Sequence, residues 1–137
     1  MNDAVKEIAG ILAETPMCFV ATVSGNEPRV RAFQYQFEQD GKLWFCTARS
    51  KDVFRQLQAN PAVQVCAVRQ DMTWLRVSGD VSLEDNRAVK ERILSERPLI
   101  KGLYGTADNP DFTTFCIEHG AYTIADFSGK PPRSGSF

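Results

Sequence analysis

The chain has 137 residues, of which 43% are hydrophobic and 24% are charged, a composition typical of one globular domain. Lys and Arg number 16 against 17 Asp and Glu, so the chain lacks the cation excess with which nucleic-acid binders neutralise phosphates. No apolar run is long enough for a signal peptide or a bilayer-spanning segment. We therefore expect a single cytoplasmic domain over residues 1–137, with an extended tail at 128–137, that binds neither nucleic acid nor membrane.

Periodicity and turn residues predict the elements of the first half of the chain. Apolar residues at helical spacing before Thr15-Pro16 indicate a helix, and the turn clusters at 25–28 and 40–41 indicate an antiparallel meander. The expected elements are a helix over 2–14, strands over 17–24, 29–37 and 42–47, and a short helix over 51–59 capped by Ser50.

In the second half, apolar residues on both faces predict a central, doubly covered strand over 62–69. The other expected elements are a strand over 73–83 with a bulge at Gly79, a helix from Glu84 or Asp85 to before Pro98, a loop over 99–110, and strands over 112–118 and 121–127 joined at His119-Gly120. Six or seven antiparallel strands with about three short helices favour an α+β fold whose strands close into a barrel.

Four cysteines and one histidine could in principle bind metal. The cysteines lack the close C-x-x-C spacing of zinc and redox sites, and each lies among apolar neighbours; they are Cys18, Cys46, Cys66 and Cys116. Reduced thiols packed as small hydrophobes are the favoured interpretation, and no metal site is expected.

One predicted strand carries cationic and aromatic side chains on the same face. The residues of this row are Arg29, Arg31, Phe33, Tyr35 and Phe37. Such a row suits a flat anionic ligand. The alternative is that the two arginines reach solvent or pair with Glu27 and Glu38.

The segment Thr47-Ala48-Arg49-Ser50-Lys51 lies where a strand passes into a helix. Free backbone N–H groups, a hydroxyl and two cations at such a place suit a phosphate. Asp52 would repel that phosphate unless its side chain points away, and the alternative is that Ser50 serves only as a helix cap.

Trp74 and Arg76 occupy the polar face of an alternating strand. An exposed indole beside a guanidinium is typical of a subunit interface or a planar ligand. The alternative is that helices cover this face and Trp74 belongs to the core.

No set of acid, base and nucleophile can be recognised, so the catalytic residues remain unknown at this stage. His119 has no partner at a meaningful spacing. Any catalysis is therefore expected to come from a cofactor.

Five ordered motifs give the chain its resemblance to a known family. They are Pro28-Arg29-x-Arg31, Asp40-Gly41-Lys42-Leu43-Trp44-Phe45-Cys46-Thr47, Ser50-Lys51, Gln56-Leu57-x-x-Asn60-Pro61 and Trp74-Leu75-Arg76-Val77-x-Gly79. From about Met17 to Phe127 the chain resembles the pyridoxamine phosphate oxidase-like family of FMN-binding split barrels, in its branch of small bacterial flavoproteins.

This resemblance implies a split β-barrel that forms a homodimer with FMN at the subunit interface. Arg31, Lys51 and, at a more variable position, Ser50 match the phosphate-binding positions. Ala32, Phe33 and Gln34 match the strand along the flavin ring, Cys46 and Thr47 the strand end beside the ribityl chain, and Trp74, with Arg76 a weaker match, the contact from the other subunit. The tail lacks the family's substrate-binding segment with Trp and Arg, so oxidation of pyridoxamine phosphate itself is not expected.

Three functions are compatible with these features. The leading one is an FMN-dependent oxidoreductase that takes electrons from a reduced nicotinamide or similar small donor and passes them to an unknown acceptor. The alternative is a non-catalytic protein that binds or carries flavin, haem or a deazaflavin. A third is a purely structural β dimer.

Overall fold

The computed structural model describes residues 2–137, which form four helices and eight strands. The helices are α1 (Asp3–Glu14), α2 (Asp52–Ala59), α3 (Arg87–Glu96) and α4 (Pro98–Tyr104). The strands are β1 (Met17–Ser24), β2 (Glu27–Gln34), β3 (Phe37–Gln39), β4 (Lys42–Ala48), β5 (Ala62–Val68), β6 (Trp74–Ser82), β7 (Phe112–Ala125) and β8 (Arg133–Ser136). None of the described helices has the length and apolar character needed to span a membrane.

All strand pairs are antiparallel, in the order β2-β1-β5-β6-β7-β4-β3, and β8 is added beside β7. The sheet curls until its two ends face each other. The ring of Phe33 on β2 meets Phe45 on β4 and Phe115 on β7 edge to face, at centroid distances of 6.2 and 5.7 Å. We call the open line between β2 and β4 the seam. The predicted α+β antiparallel split barrel is confirmed.

The barrel interior is aliphatic and aromatic. Phe45 and Phe115 stack at 5.4 Å within it. Helix α1 packs its one apolar face on this core, and the buried residues of that face are Val5, Ile8, Ile11 and Leu12. A second, smaller cluster lies where α3 and α4 pack on β4 and β7, around Trp44 and Phe112. The sheet thus separates the barrel core from this second cluster.

The prediction of two strands joined by a turn at His119-Gly120 is wrong, because the structure has a single strand there, β7. It runs unbroken from Phe112 to Ala125 because Gly120 pairs with Gly79 of β6, where the two backbones approach closely. A Cβ on Gly120 would lie 2.2 Å from the Ser78 carbonyl oxygen. Glycine therefore permits a close approach of two paired strands here, and the chain does not turn. The register shift between Gly79 and Val81 confirms the predicted bulge.

The strand predicted over 29–37 is two strands, because the chain turns inward between them. The Tyr35 N–H donates to the Pro16 carbonyl at 2.6 Å, and the Gln36 N–H donates to the Trp44 carbonyl at 3.1 Å. Tyr35 is consequently buried in the barrel. β2 therefore ends at Gln34, and its last residues stand at the seam.

The predicted loop over 99–110 is wrong in its first part, which forms α4. Pro98 occupies the first turn of α4, where its missing N–H costs nothing, and Gly105 ends the helix with φ of 79°. Helix α3 also begins later than predicted, at Arg87, because the Asn86 side chain caps it by accepting the Val89 N–H at 3.0 Å.

Two other expectations change with tertiary context. β5 is central, between β1 and β6, but only one of its faces is covered, and Val68 is 47% exposed. The tail pairs with β7 as β8, and Arg133 donates two hydrogen bonds to the Glu7 carboxylate at 3.2 and 2.6 Å.

Candidate functional site

A cleft of about 360 Å³ lies along the seam. Six sequence-predicted site residues line it: Arg31, Ala32, Phe33, Gln34, Cys46 and Lys51. The other lining residues are Met17, Gln36, Val53, Ile100, Leu103 and Tyr104. The structure thus brings together side chains from β2, β4, α2 and α4, which are far apart in the chain.

Three residues of the cleft wall come from α4, which sequence reasoning missed. A signal for this helix was present: Pro98 precedes apolar residues at helical spacing, and Gly105 follows them. The glycines and the Asn109-Pro110 pair around it favoured a loop instead. Helix α4 gives the cleft an apolar rim, on which Leu103 is 76% exposed.

Strand β2 gives the cleft an unpaired backbone edge. Within residues 2–137 it pairs only with β1. Arg31 and Phe33 stand opposite the buried Val20 and Cys18, so their side chains face the interior, whereas Ala32 faces outward. The backbone N–H and C=O groups on the free edge remain able to bind a ligand lying along the seam.

Arg31 is held in place by neutral oxygen atoms. Its Nη1 donates to the Val20 carbonyl at 3.2 Å and to Thr22 Oγ1 at 2.8 Å, and its Nη2 donates to Gln56 Oε1 at 2.7 Å. Burial, and secondly the nearby charge of Arg29, lowers the pKa of Arg31 from its usual value. An arginine stays protonated regardless, so its charge is left for an anion to balance.

Lys51 is the second cation of the cleft and the N-cap residue of α2. It is exposed and forms no ion pair among residues 2–137. The positive end of the α2 dipole adds to its charge. The carboxylate of Asp52 pairs with Arg55 and lies outside the cleft lining, so it does not cancel the charge of Lys51 there.

Ser50 does not cap α2, which corrects the predicted capping role. Its backbone N–H and its hydroxyl both donate to the carboxylate of Asp111, each at 2.9 Å. Asp111 is thereby bonded to the loop that presents Lys51. Ser50 is not among the residues that line the cleft.

Thr47 and Cys46 are adjacent on β4, so their side chains point to opposite faces of the sheet. Thr47 is 2% exposed, and its hydroxyl has no hydrogen-bond partner within residues 2–137. An unpaired buried hydroxyl costs about 1–3 kcal/mol. Cys46 lines the cleft, and burial raises the pKa of its thiol to about 12 against the opposing charges of Lys51 and Arg97. The thiol is therefore protonated at neutral pH and is not a nucleophile.

Trp74 and Arg76 lie away from the cleft, on the outward side of β6. The Arg76 guanidinium stands 5.6 Å from the Trp74 ring. Here the sheet exposes apolar side chains, a surface that we call the outer face, and its residues include Phe19, Val30, Val68 and Trp74. Phe19 is 54% exposed and pairs with Ala32 of the cleft. The alternative that helices cover this face is therefore wrong, and the outer face borders the cleft.

The loop before Lys51 is tied to α3 through Asp85. This carboxylate accepts from Arg49 at 3.0 Å and from Lys90, which is 6% exposed, at 2.8 Å. Burial by itself would raise the pKa of Asp85, but the hydrogen bonds from Lys90 and Arg49 outweigh it and lower the pKa. Asp85 thus stabilises the fold above its unfolded-state pKa, and this contribution is lost as the pH falls through its lower folded-state pKa.

Asp85→Asn is expected to reduce the free energy of unfolding by about 1–2 kcal/mol at pH 7, because it leaves Lys90 buried without a counter-ion; the partial exposure of Asp85 limits the effect. The deficit should shrink only as the pH falls below the ordinary Asp pKa of about 3.9 and through the lower folded-state pKa, where the wild-type carboxylate becomes protonated too. Urea unfolding at both pH values measures it. Asp108→Asn, at an exposed ion pair with Arg87, is the matched control and should cost less. An equal loss in both variants would contradict the role of Asp85.

Comparisons with known proteins agree with this fold. A NimC/NimA family protein from Clostridium acetobutylicum is 32% identical, with a TM-score of 0.89 over 97% of this chain and 92% of that one. A pyridoxamine 5'-phosphate oxidase-related, FMN-binding protein from Nostoc punctiforme is 13% identical (TM-score 0.64, 100% and 97% covered). A heme-binding protein from Mycobacterium smegmatis is 16% identical (TM-score 0.74, 100% and 58% covered).

No curated protein matches the chain. A family model does: the one described as pyridoxamine 5'-phosphate oxidase matches residues 4–121, which include β1 to β6, the part of β7 up to Ala121 and all residues of the cleft. With that match over most of its length, the chain belongs to the pyridoxamine 5'-phosphate oxidase family.

Proposed function

We propose that this protein is a flavoprotein that binds FMN in the seam cleft and acts as an oxidoreductase. The observation that carries the proposal is a cleft with two cations, Arg31 and Lys51, neither of which pairs with a carboxylate among the described residues. The same cleft has an apolar rim. An anionic group beside a flat apolar one is the ligand chemistry that such a cleft selects.

The residues of the cleft fit FMN in three respects. Arg31 and Lys51 would bind the phosphate, because a doubly charged anion balances both cations. The free edge of β2 at 32–34 offers backbone donors and acceptors to a ring edge. The apolar side chains of Phe33, Ile100 and Leu103 would exclude water from the ring.

Bound FMN would supply the redox chemistry, accepting a hydride from a reduced nicotinamide or similar donor and passing electrons to a small-molecule acceptor. The chain's own part is to bind and orient the cofactor. Its protonated Cys46 thiol adds no competing nucleophile near the ring. The protein therefore tunes and shields the cofactor and needs no acid–base pair of its own.

The proposal includes a homodimer in the cytoplasm. The outer face exposes Phe19, Val30 and Val68 beside the cleft, and one cleft wall is open to solvent there. A second copy packed on this face would bury those side chains. It would also bring Trp74 of the partner subunit, with its neighbouring arginine, towards the cleft, which accounts for an indole and a guanidinium on an otherwise unpartnered surface.

Binding without turnover is the second candidate function. No pair of acid and base side chains lines the cleft within residues 2–137, so a carrier of flavin or deazaflavin would need no residue beyond those present. A carrier of haem has less support, because no histidine is among the lining residues and burial raises the pKa of Cys46 and of Tyr104, which disfavours the anionic forms that bind iron. A purely structural dimer leaves the two unpaired cations unexplained.

The absorption spectrum of the purified protein tests the proposal. We expect the bands of oxidised flavin, or their appearance after FMN is added and free ligand is removed. NADH or NADPH should then be oxidised with turnover on an added acceptor. Tight FMN binding without turnover would support the carrier, a Soret band would support haem, and a colourless protein that takes up no FMN would refute the proposal.

A further inference from the structure

Gln56 lies behind the cleft cation Arg31 and contacts it directly. Its side-chain oxygen Oε1 accepts two hydrogen bonds, one from Arg31 Nη2 at 2.7 Å and one from Thr22 Oγ1 at 2.6 Å. Thr22 Oγ1 in turn accepts from Arg31 Nη1 at 2.8 Å. The three side chains form a closed ring of hydrogen bonds, which fixes the guanidinium in one position.

The acceptors around Arg31 carry no net charge, unlike those of the neighbouring arginines. Arg29 pairs with Glu27 and Arg55 pairs with Asp52, each through a carboxylate that neutralises it. Arg31 is partly buried, and a carboxylate at the position of Gln56 would neutralise it in the same way. The amide oxygen satisfies the donors and leaves the positive charge in place.

Helix α2 contacts or carries both cations of the cleft. Lys51 is its N-cap residue, and Gln56 follows in its second turn. The helix is anchored on the core by Val53, Phe54 and Leu57. A shift of α2 would therefore move Lys51 and the Gln56 contact of Arg31 together, while Val20 and Thr22 of β1 hold the guanidinium from the other side.

We propose that Gln56 is a positioning residue that aims Arg31 at the phosphate of the ligand without cancelling its charge, and so sets the preference for FMN over riboflavin. This inference rests on the proposed function. Riboflavin has the same ring and ribityl chain but no phosphate. The ratio of the two dissociation constants therefore isolates phosphate recognition from ring binding and from folding.

Gln56→Glu is the decisive variant, because the carboxylate keeps the acceptor atoms but adds a negative charge next to Arg31. We expect its preference for FMN over riboflavin to fall about tenfold or more, with the riboflavin dissociation constant unchanged. Gln58→Glu is the matched control, with the same charge change on the same helix at an exposed position, and should keep the preference. Flavin fluorescence titrations measure both constants.

Gln56→Met tests positioning alone, because it removes the acceptor and adds no charge. It should lower the preference by less than Gln56→Glu and decides the question if the Glu variant does not fold. An unchanged preference in a folded Gln56 variant, or an equal loss in Gln58→Glu, would overturn the role of Gln56 while leaving FMN binding intact. Wild-type protein that binds neither flavin would overturn the proposed function and this inference together.

Discussion

Arg31→Ala combined with Lys51→Ala is expected to weaken FMN binding by about a hundredfold to ten-thousandfold. Each substitution removes a charge-assisted hydrogen bond to phosphate, which contributes about 1.5–3 kcal/mol. Lys51→Ala alone should account for about half of the loss in free energy. Riboflavin affinity should change little, because the apolar wall and the β2 edge are untouched.

Fluorescence titration with both flavins measures this result. The matched control is Arg87→Ala with Lys130→Ala, which removes the same two charges at exposed positions outside the cleft. The control should keep wild-type affinity apart from a small long-range electrostatic effect that salt suppresses. If the Arg31 and Lys51 variant binds FMN as tightly as the wild type does, the phosphate site lies elsewhere.

Prediction from the sequence succeeded where the interactions that decide the structure are between residues close together in the chain. Turn residues and alternation are local, and they predicted β1, β4, β5 and β6 closely. The prediction at Gly120 was wrong because glycine occurs both in turns and where two paired strands approach each other closely. Only the partner strand, which presents Ser78 near Gly120, decides between them.

The candidate site shows the same limit. Sequence reasoning identified six lining residues, largely from the motif resemblance, because β2 and the strand-to-helix segment carry them in short stretches. It missed α4, whose apolar residues mean little until they pack over β4 and β7. The resemblance also matches Ser50, at a more variable position, to the phosphate site, which stays a prediction. The hydrogen bonds of Ser50 to Asp111, which is distant in the chain, cannot be recognised from the spacing of residues.

The net charge of -1 conceals how the cations are distributed. Most arginines pair with carboxylates on the surface, whereas Arg31, Arg76 and Arg97 do not do so among the described residues, and neither does Lys51 of the cleft. Arg97 bonds the carbonyl and the side-chain oxygen of Gln36, which lines the cleft. Arg31, Lys51 and Arg97 therefore leave unpaired positive charge beside the seam, where a chain of balanced composition can still attract an anion.

Phe19→Arg is expected to convert a dimer into a monomer. A stable interface buries about 1,200–2,000 Å² in total and depends on a few central aromatic residues. Phe19 lies in the row of the outer face that joins Ala32 of the cleft to Cys66 and Arg76. Placing a cation there should weaken the dimer by about thirtyfold to a thousandfold. Sedimentation over a range of protein concentrations measures the change.

Ala88→Arg is the control, since it adds the same charge at an exposed position of α3, away from the outer face. The monomeric Phe19 variant should also lose FMN affinity, because Trp74 of the partner subunit would no longer approach the cleft. Dimers that persist in Phe19→Arg would show that another surface joins the subunits. A monomer that binds FMN with wild-type affinity would show that one chain completes the site, and Trp74 and Arg76 would then have no part in it.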